Sequence, residues 1–266
     1  MNIVKKIKIK TRMMFLSNKR TVDFVIAGTQ KGGTTALDAY LREHPEICMA
    51  DKKELHFFDN EGVFAHEKPD YSKYHAWFTP KKSHKLLGES TPVYMYWKYS
   101  PKRIWQYNPN MKIIILLRDP IRRAYSHWNM LRTRNIEKLS FWDAITIENK
   151  RCKEALPLQN RTYSYIDRGR YLQQLRRIWE YFPKNRTLIL KTKELRENPT
   201  FTLNQVYTFL GVSQYEKVLE KKNIFSFPYE SSLKNKERRY LRSIFAPEIK
   251  KLETELNWDC SDWLAC

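Results

Sequence analysis

Phe24-Val25-Ile26-Ala27-Gly28-Thr29-Gln30-Lys31-Gly32-Gly33-Thr34-Thr35 is the stretch on which the reading of this chain turns. An apolar run ends in a glycine-containing turn, and the turn opens directly into a helical pattern with Leu37, Tyr40 and Leu41 on one face. A strand, turn and helix joined this way form a phosphate cradle. Gly32 and Gly33 allow close approach of the backbone to an anion, and the unpaired N–H groups of the first helical turn point at it. Lys31 adds a full positive charge, and Thr34 and Thr35 add hydroxyl donors. A turn that merely joined strand to helix would need neither the lysine nor the threonine pair.

The order of residues separates this loop from two familiar ones. In the nucleoside triphosphatase loop the lysine follows the last glycine and precedes a magnesium-binding Ser or Thr. Here Lys31 precedes both glycines, and their spacing also departs from G-x-G-x-x-G. The turn is P-loop-like in build and different in sequence.

Outward from this turn, the elements alternate. Strands are expected over residues 22–27, 47–49, 85–89, 113–117 and 187–190, with the first helix over 34–42. Asp119 and Pro120 are an N-cap and first helical residue, and Ile121, Ala124, Tyr125, Trp128 and Leu131 follow at helical spacing. Arg118 therefore stands at a strand end, at the carboxyl edge where open α/β sheets bind ligands. A guanidinium there grips a phosphate through two parallel hydrogen bonds, or else pairs with Asp119 or another acid. Tyr171, Leu172, Leu175, Ile178, Trp179 and Phe182 form a core-facing helical stripe. In the C-terminal run, Pro247 predicts a break between two helical pieces. Strands alternating with helices predict an α/β fold: a single domain, a mostly parallel sheet flanked by helices, over residues 21–266. A basic, flexible arm over residues 1–20 precedes it, and a second basic, flexible loop is expected over residues 229–237.

Several segments together resemble the sulfotransferases that use 3′-phosphoadenosine-5′-phosphosulfate (PAPS), in particular the heparan sulfate branch and its soluble bacterial relatives. Gln30-Lys31-Gly32-Gly33-Thr34-Thr35 is similar to that family's 5′-phosphosulfate loop, and residues 113–120 followed by Ser126 to its 3′-phosphate element. Lys53-Glu54-Leu55-His56-Phe57-Phe58-Asp59 resembles its catalytic segment. Phe245-Ala246-Pro247-Glu248, Leu252-Glu253 and Asp262-Trp263-Leu264 resemble the end of bacterial members. The matches run in family order over roughly residues 22–264.

The resemblance implies a PAPS-dependent sulfotransferase, with PAP as the nucleotide product. Lys31, Gly32, Gly33, Thr34, Thr35, Arg118 and Ser126 would hold the donor, and Lys31 would also stabilise charge on the leaving phosphate. Glu54 would be the general base for a hydroxyl or amine acceptor, His56 would orient the acceptor or share the proton, and Asp59 would support the segment. From the residues alone, Glu54 reads equally as a surface acid paired with Lys52 or Lys53, and His56 as a packed histidine beside Phe57 and Phe58. Ser126 alone would only back-bond to a carbonyl. No metal is required, because the donor carries fewer charges at its reacting centre than a triphosphate. In one place the chain departs from the heparan sulfate enzymes: Gly88-Glu89-Ser90-Thr91-Pro92 carries Ser90 where they have a lysine. The expected acceptor accordingly moves from a heparan-type polymer to a small metabolite, glycolipid or oligosaccharide.

Composition agrees with an anionic ligand. The 266 residues carry 49 Lys and Arg against 29 Asp and Glu, a net charge of +20. A P-loop nucleotide or small-molecule kinase would share the sheet but should show glycine before lysine and acids for magnesium. A basic nucleic-acid-binding protein would explain the charge, yet no recognition motif accompanies it, so no nucleic-acid partner is expected. Cys48, Cys152, Cys260 and Cys266 show no metal-binding spacing, and their sparseness suits a reducing compartment, with a Cys260–Cys266 link left open. Residues 1–20 contain seven cations and no run long enough for a signal core. A cytoplasmic enzyme without a transmembrane segment is expected, its arm making at most weak contact with an acidic membrane surface.

Overall fold

The computed structural model describes residues 20–65, 68–215, 229 and 231–264. Nearly all of the expected N-terminal arm, part of the basic loop expected near residues 229–237, and Cys266 lie outside the described residues.

Five strands form one sheet: β1 (Phe24–Gly28), β2 (Ile47–Met49), β3 (Leu86–Ser90), β4 (Lys112–Leu117) and β5 (Thr187–Lys191). Their order is β2-β3-β1-β4-β5 and every pairing is parallel. The apolar runs of β1 and β4 are buried on both faces, as a parallel sheet covered on both sides demands. Side chains alternate between two cores. Phe24, Ile26, Ile114 and Leu116 pack with α1 (Thr34–Leu41) on one face. Val25, Ala27, Ile113, Ile115 and Leu117 pack with α2 (Pro120–Thr133) and α3 (Tyr171–Trp179) on the other. Two more helices complete the layers: α4 (Pro199–Leu210) joins the first core and α5 (Asn235–Leu256) the second. The result is a helix-sheet-helix sandwich whose strands all deliver their carboxyl ends to one edge.

The structure corrects three local expectations. β1 begins at Phe24 rather than 22, because the Val22 amide donates to the Tyr107 hydroxyl at 2.8 Å and its carbonyl accepts from Asn108 at 2.9 Å. Side chains thus take the place of a ladder partner. Pro247 does not divide the C-terminal run; it lies inside the continuous helix α5. Leu241 and Phe245 before it and Ile249 and Leu252 after it are all buried in the same core, and this packing holds the helix together across the missing N–H. Residues 235–237, expected in a loop, are the start of α5.

Gly88 sits where β3 passes the Phe24 ring of β1. A Cβ there would lie 2.1 Å from the ring. Gly88→Ala is therefore expected to cost about 3 kcal/mol, the upper part of the overpacking range, seen as a lower urea midpoint and partly reversed by Phe24→Leu.

Candidate active site

The turn after β1 is closed by backbone bonds and by a distant side chain. Thr29 N–H donates to Leu116 O at 3.0 Å, and Gly32 N–H donates to Thr29 O at 2.8 Å. Thr192, the residue after β5, donates its hydroxyl to Gly32 O at 2.6 Å. Gly32 has no room for a side chain: a Cβ would lie 2.6 Å from Leu116 O and 2.8 Å from Thr29 O. Gly33 caps α1 with φ of 91°, a conformation glycine adopts without strain. Among the described residues no side chain caps this helix, and its first turn carries no acid. Thr34 is buried and Thr35 half-buried. Tight backbone, an uncapped helix start and two hydroxyls fit the phosphate-bearing end of a nucleotide.

Arg118, at the end of β4, reaches back across the edge and donates from Nη1 to Lys31 O at 3.2 Å. Its own carbonyl accepts from the Tyr171 hydroxyl at 2.7 Å. Asp119 does not pair with it as an alternative reading allowed; its carboxylate caps α2 by accepting from Ile121 N and Arg122 N. Ser126 is buried farther along α2 and, among the described residues, no hydrogen bond links it to the turn.

Facing the turn is the segment after β2. Glu54 N–H donates to Ser90 O at 2.9 Å, and Leu55 N–H donates to Thr91 Oγ1 at 3.1 Å. The Thr91 hydroxyl in turn donates to Glu89 Oε2 at 2.9 Å, and the Tyr74 hydroxyl to Glu89 Oε1 at 2.7 Å. Glu89 is fully buried, and that burial pushes its carboxyl up to about 7. The end of β3 thus stitches down the backbone of Glu54. Among the described residues, five that are not glycine have a left-handed backbone, and three of them are Lys31 (φ 67°), Glu54 (φ 61°) and His56 (φ 52°). Each costs of order 1 kcal/mol or more, and such strain concentrates where side chains must be aimed.

The charges are coupled. Glu54 Oε1 accepts from Lys53 at 2.8 Å, and its Oε2 is 3.6 Å from His56 Nε2. His56 Nδ1 lies 3.0 Å from Asp59 Oδ2. The hydrogen bond from His56, aided by Lys53, pulls the Glu54 carboxyl down to about 2. Asp59 and then Glu54 raise His56 to about 9. Lys31 is lowered to about 8, first by burial and then by the nearby charges of Arg118 and Arg134, with Glu54 opposing. Lys31 thus feels Arg118, bonded to its own carbonyl, and Glu54 at one mouth. One of the two plain readings of the segment is realised and the other is not: Glu54 does pair with Lys53, whereas His56 is half-exposed and faces carboxylates rather than lying in the aromatic core.

Four residues near this mouth are not among the site residues expected from the sequence: Thr192, Arg134, Arg161, and Tyr171, which the sequence places in a core stripe. Thr192 follows a strand as Arg118 does, so the same carboxyl-edge reasoning would have found it. The other three arrive from helices and loops by tertiary folding and carry no local signal. Among the described residues there is no group of three His, Cys, Asp or Glu arranged to hold a metal ion, and no helix long and apolar enough to cross a membrane.

Comparison with known proteins adds the following. The family model for the sulfotransferase domain matches residues 21–251. Mouse heparan sulfate glucosamine 3-O-sulfotransferase 3B1 is 30% identical over 201 residues, 74% of this chain and 48% of its own length. The chain thus spans about half of that curated relative. The crystal structure of a sulfotransferase from Alicyclobacillus acidocaldarius aligns with a TM-score of 0.77 at 27% identity, covering 92% of this chain and 100% of that one. Mouse sulfotransferase SULT7A1, complexed with PAP, shares the fold alone, with a TM-score of 0.50 and 17% identity over 78% of this chain and 65% of its own.

Proposed function

Because the chain belongs to the family of PAPS-dependent sulfotransferases, we propose that it moves a sulfuryl group from PAPS to a hydroxyl, or less favourably an amine, of a small-molecule or glycan acceptor. One observation carries the proposal: the turn around Lys31 and the guanidinium of Arg118 are hydrogen-bonded together at the mouth that Glu54 also faces. Relatives that act on heparan sulfate support a saccharide acceptor, while Ser90 in place of their lysine favours a smaller one than that polymer.

Gly32, Gly33, the amides opening α1, Thr34, Thr35 and Lys31 would hold the 5′ end of the donor, and Arg118 with Ser126 the 3′-phosphate. The donor supplies the activated sulfuryl group. Lys31 and the helix start stabilise the negative charge that builds on the leaving phosphate oxygen. Glu54 receives the acceptor's proton. At rest its carboxylate is a weak base because Lys53 and His56 hold it; an acceptor hydroxyl entering beside it displaces those hydrogen bonds and restores its affinity for a proton. His56, anchored by Asp59, orients the acceptor.

Calorimetry with PAP against ATP tests the donor. Tight ATP binding with no preference for the 3′-phosphate would overturn the proposal; a strong preference for PAP, followed by sulfate transfer from PAPS onto a panel of sugars and small alcohols, would support it. A pH dependence follows as well. Lys31 is a cation below about 8 and loses its charge above it, so affinity for PAP is expected to fall between pH 8 and 10, approaching about tenfold per unit. Lys31→Ala should remove both that slope and most of the affinity. We further propose that residues 21–266 form the catalytic unit in the cytoplasm and that the first 20 are dispensable for transfer, which cell fractionation and assay of the shortened chain would check.

A further inference from the structure

Asp59 is fully buried, and only one of its oxygens is engaged. Oδ2 meets both His56 Nδ1, at 3.0 Å, and the guanidinium of Arg161, whereas Oδ1 has no hydrogen-bond partner among the described residues. Arg161 comes from a segment 102 residues farther along the chain. It is held as a built part of the site. Its guanidinium lies 3.8 Å from the centre of the Trp97 ring, whose Nε1 donates to Glu61 at 2.7 Å. Its carbonyl accepts from the buried Arg168 at 2.7 Å, and the Asn160 side chain accepts from the amides of Thr162 and Tyr163.

A carboxylate out of water needs a counter-charge. Two cations are available to Asp59, and they compete for the same oxygen. If His56 were the sole counter-ion, its proton would be committed to Asp59 and the ring would stay clamped as an ion pair between Asp59 and Glu54. With Arg161 in place, Asp59 shares its oxygen between two cations and pulls less on His56: the Nδ1 bond to Asp59 sets the angle of the ring, and Nε2 is left facing Glu54 at 3.6 Å. Other groups act on this pair too: Glu89 and Tyr94 feel the charge of Asp59, and Glu61 and Arg168 feel that of Arg161.

We propose that Arg161 is a positioning residue for sulfuryl transfer: by neutralising Asp59 on the Trp97 platform it weakens the pull of Asp59 on His56 and holds the ring with Nε2 toward Glu54. This rests on the reading of Glu54 as proton acceptor given above, and the test separates the two. The His56 ring protons are followed by NMR against pH, assigned among the six histidines by their loss in His56→Asn, in the full chain and in Arg161→Gln and Arg161→Lys. Alongside, PAP affinity is measured by calorimetry and PAPS breakdown with water as acceptor by PAP release. Arg161→Gln is expected to raise the His56 midpoint by about one pH unit and to slow PAP release at least tenfold, with PAP affinity within threefold of the parent. Arg161→Lys should bring midpoint and rate back to within threefold. A His56 midpoint unchanged in Arg161→Gln, or equal loss of rate in both variants, overturns the proposal. Should Arg161→Gln fail to fold, Arg161→Lys decides, since a parental midpoint and rate support the role and a lost rate at a parental midpoint refutes it. Should the parent itself break down no PAPS, the transfer reading falls, and the His56 midpoint still tells whether Arg161 governs the ring.

Discussion

Glu54→Gln is expected to lower turnover by about 10²- to 10⁴-fold, the usual contribution of a placed base, while PAP affinity stays within about threefold. The substitution keeps the shape of the side chain and an oxygen for Lys53, its partner at 2.8 Å, so positioning survives and only the capacity to take a proton is lost. The backbone of residue 54, stitched to Ser90 O, is untouched. The loss should therefore appear in kcat, with little change in the KM for donor. Removal of the carboxylate also takes away one of the two acids that raise His56, so the His56 midpoint should drop in the same variant. Full turnover in Glu54→Gln would assign the proton to another group.

Gly32→Ala should abolish usable donor binding, with a loss of affinity for PAP of at least about 100-fold, equivalent to one or two charge-assisted hydrogen bonds. The new Cβ would meet Leu116 O at 2.6 Å and Thr29 O at 2.8 Å. Both are backbone atoms, and Leu116 belongs to the buried strand β4, so the turn must lift off the sheet and carry its amides with it. Gly33→Ala is a milder change: its nearest neighbour is the Thr192 methyl at 3.3 Å, and the cost is mainly that of a side chain at φ of 91°. The ordering Gly32 worse than Gly33, read by calorimetry with PAP and checked for folding by circular dichroism, distinguishes a backbone cradle from a merely flexible turn. Parental affinity in Gly32→Ala would show that the nucleotide sits elsewhere.

The central strands were legible because they are buried on both faces. Continuous runs such as Ile113-Ile114-Ile115-Leu116-Leu117 leave few other homes for themselves, and the observed strand extends only to Lys112 beyond the expected bounds. The start of α2 was legible for a local reason too, since Asp119 and Pro120 settle a helix N-terminus without outside help. Pro247 misled because proline's local effect opposes helix, whereas burial on both sides of it decides the outcome. At the site, Lys31, Gly32 and Gly33 lie on one contiguous turn and could be read directly. The ion pairs of Glu54 could be read only in part: Lys53 adjoins it, but its coupling through His56 and Asp59 to Arg161 is a product of chain crossing, and nothing near residue 161 announces it.

The hydroxyl of Thr192 closes on the carbonyl of Gly32 across 160 residues of sequence. The cradle leaves the ribosome well before its latch, which follows β5, the last strand in sequence among the described residues. Until β5 has been made and docked, the turn lacks the hydrogen bond from Thr192. On the proposed reading, a nucleotide seated there would touch both the turn after β1 and the end of β4: at a concentration 100 times its dissociation constant it would add about 2.7 kcal/mol against global unfolding, so occupancy and survival of the fold would rise together.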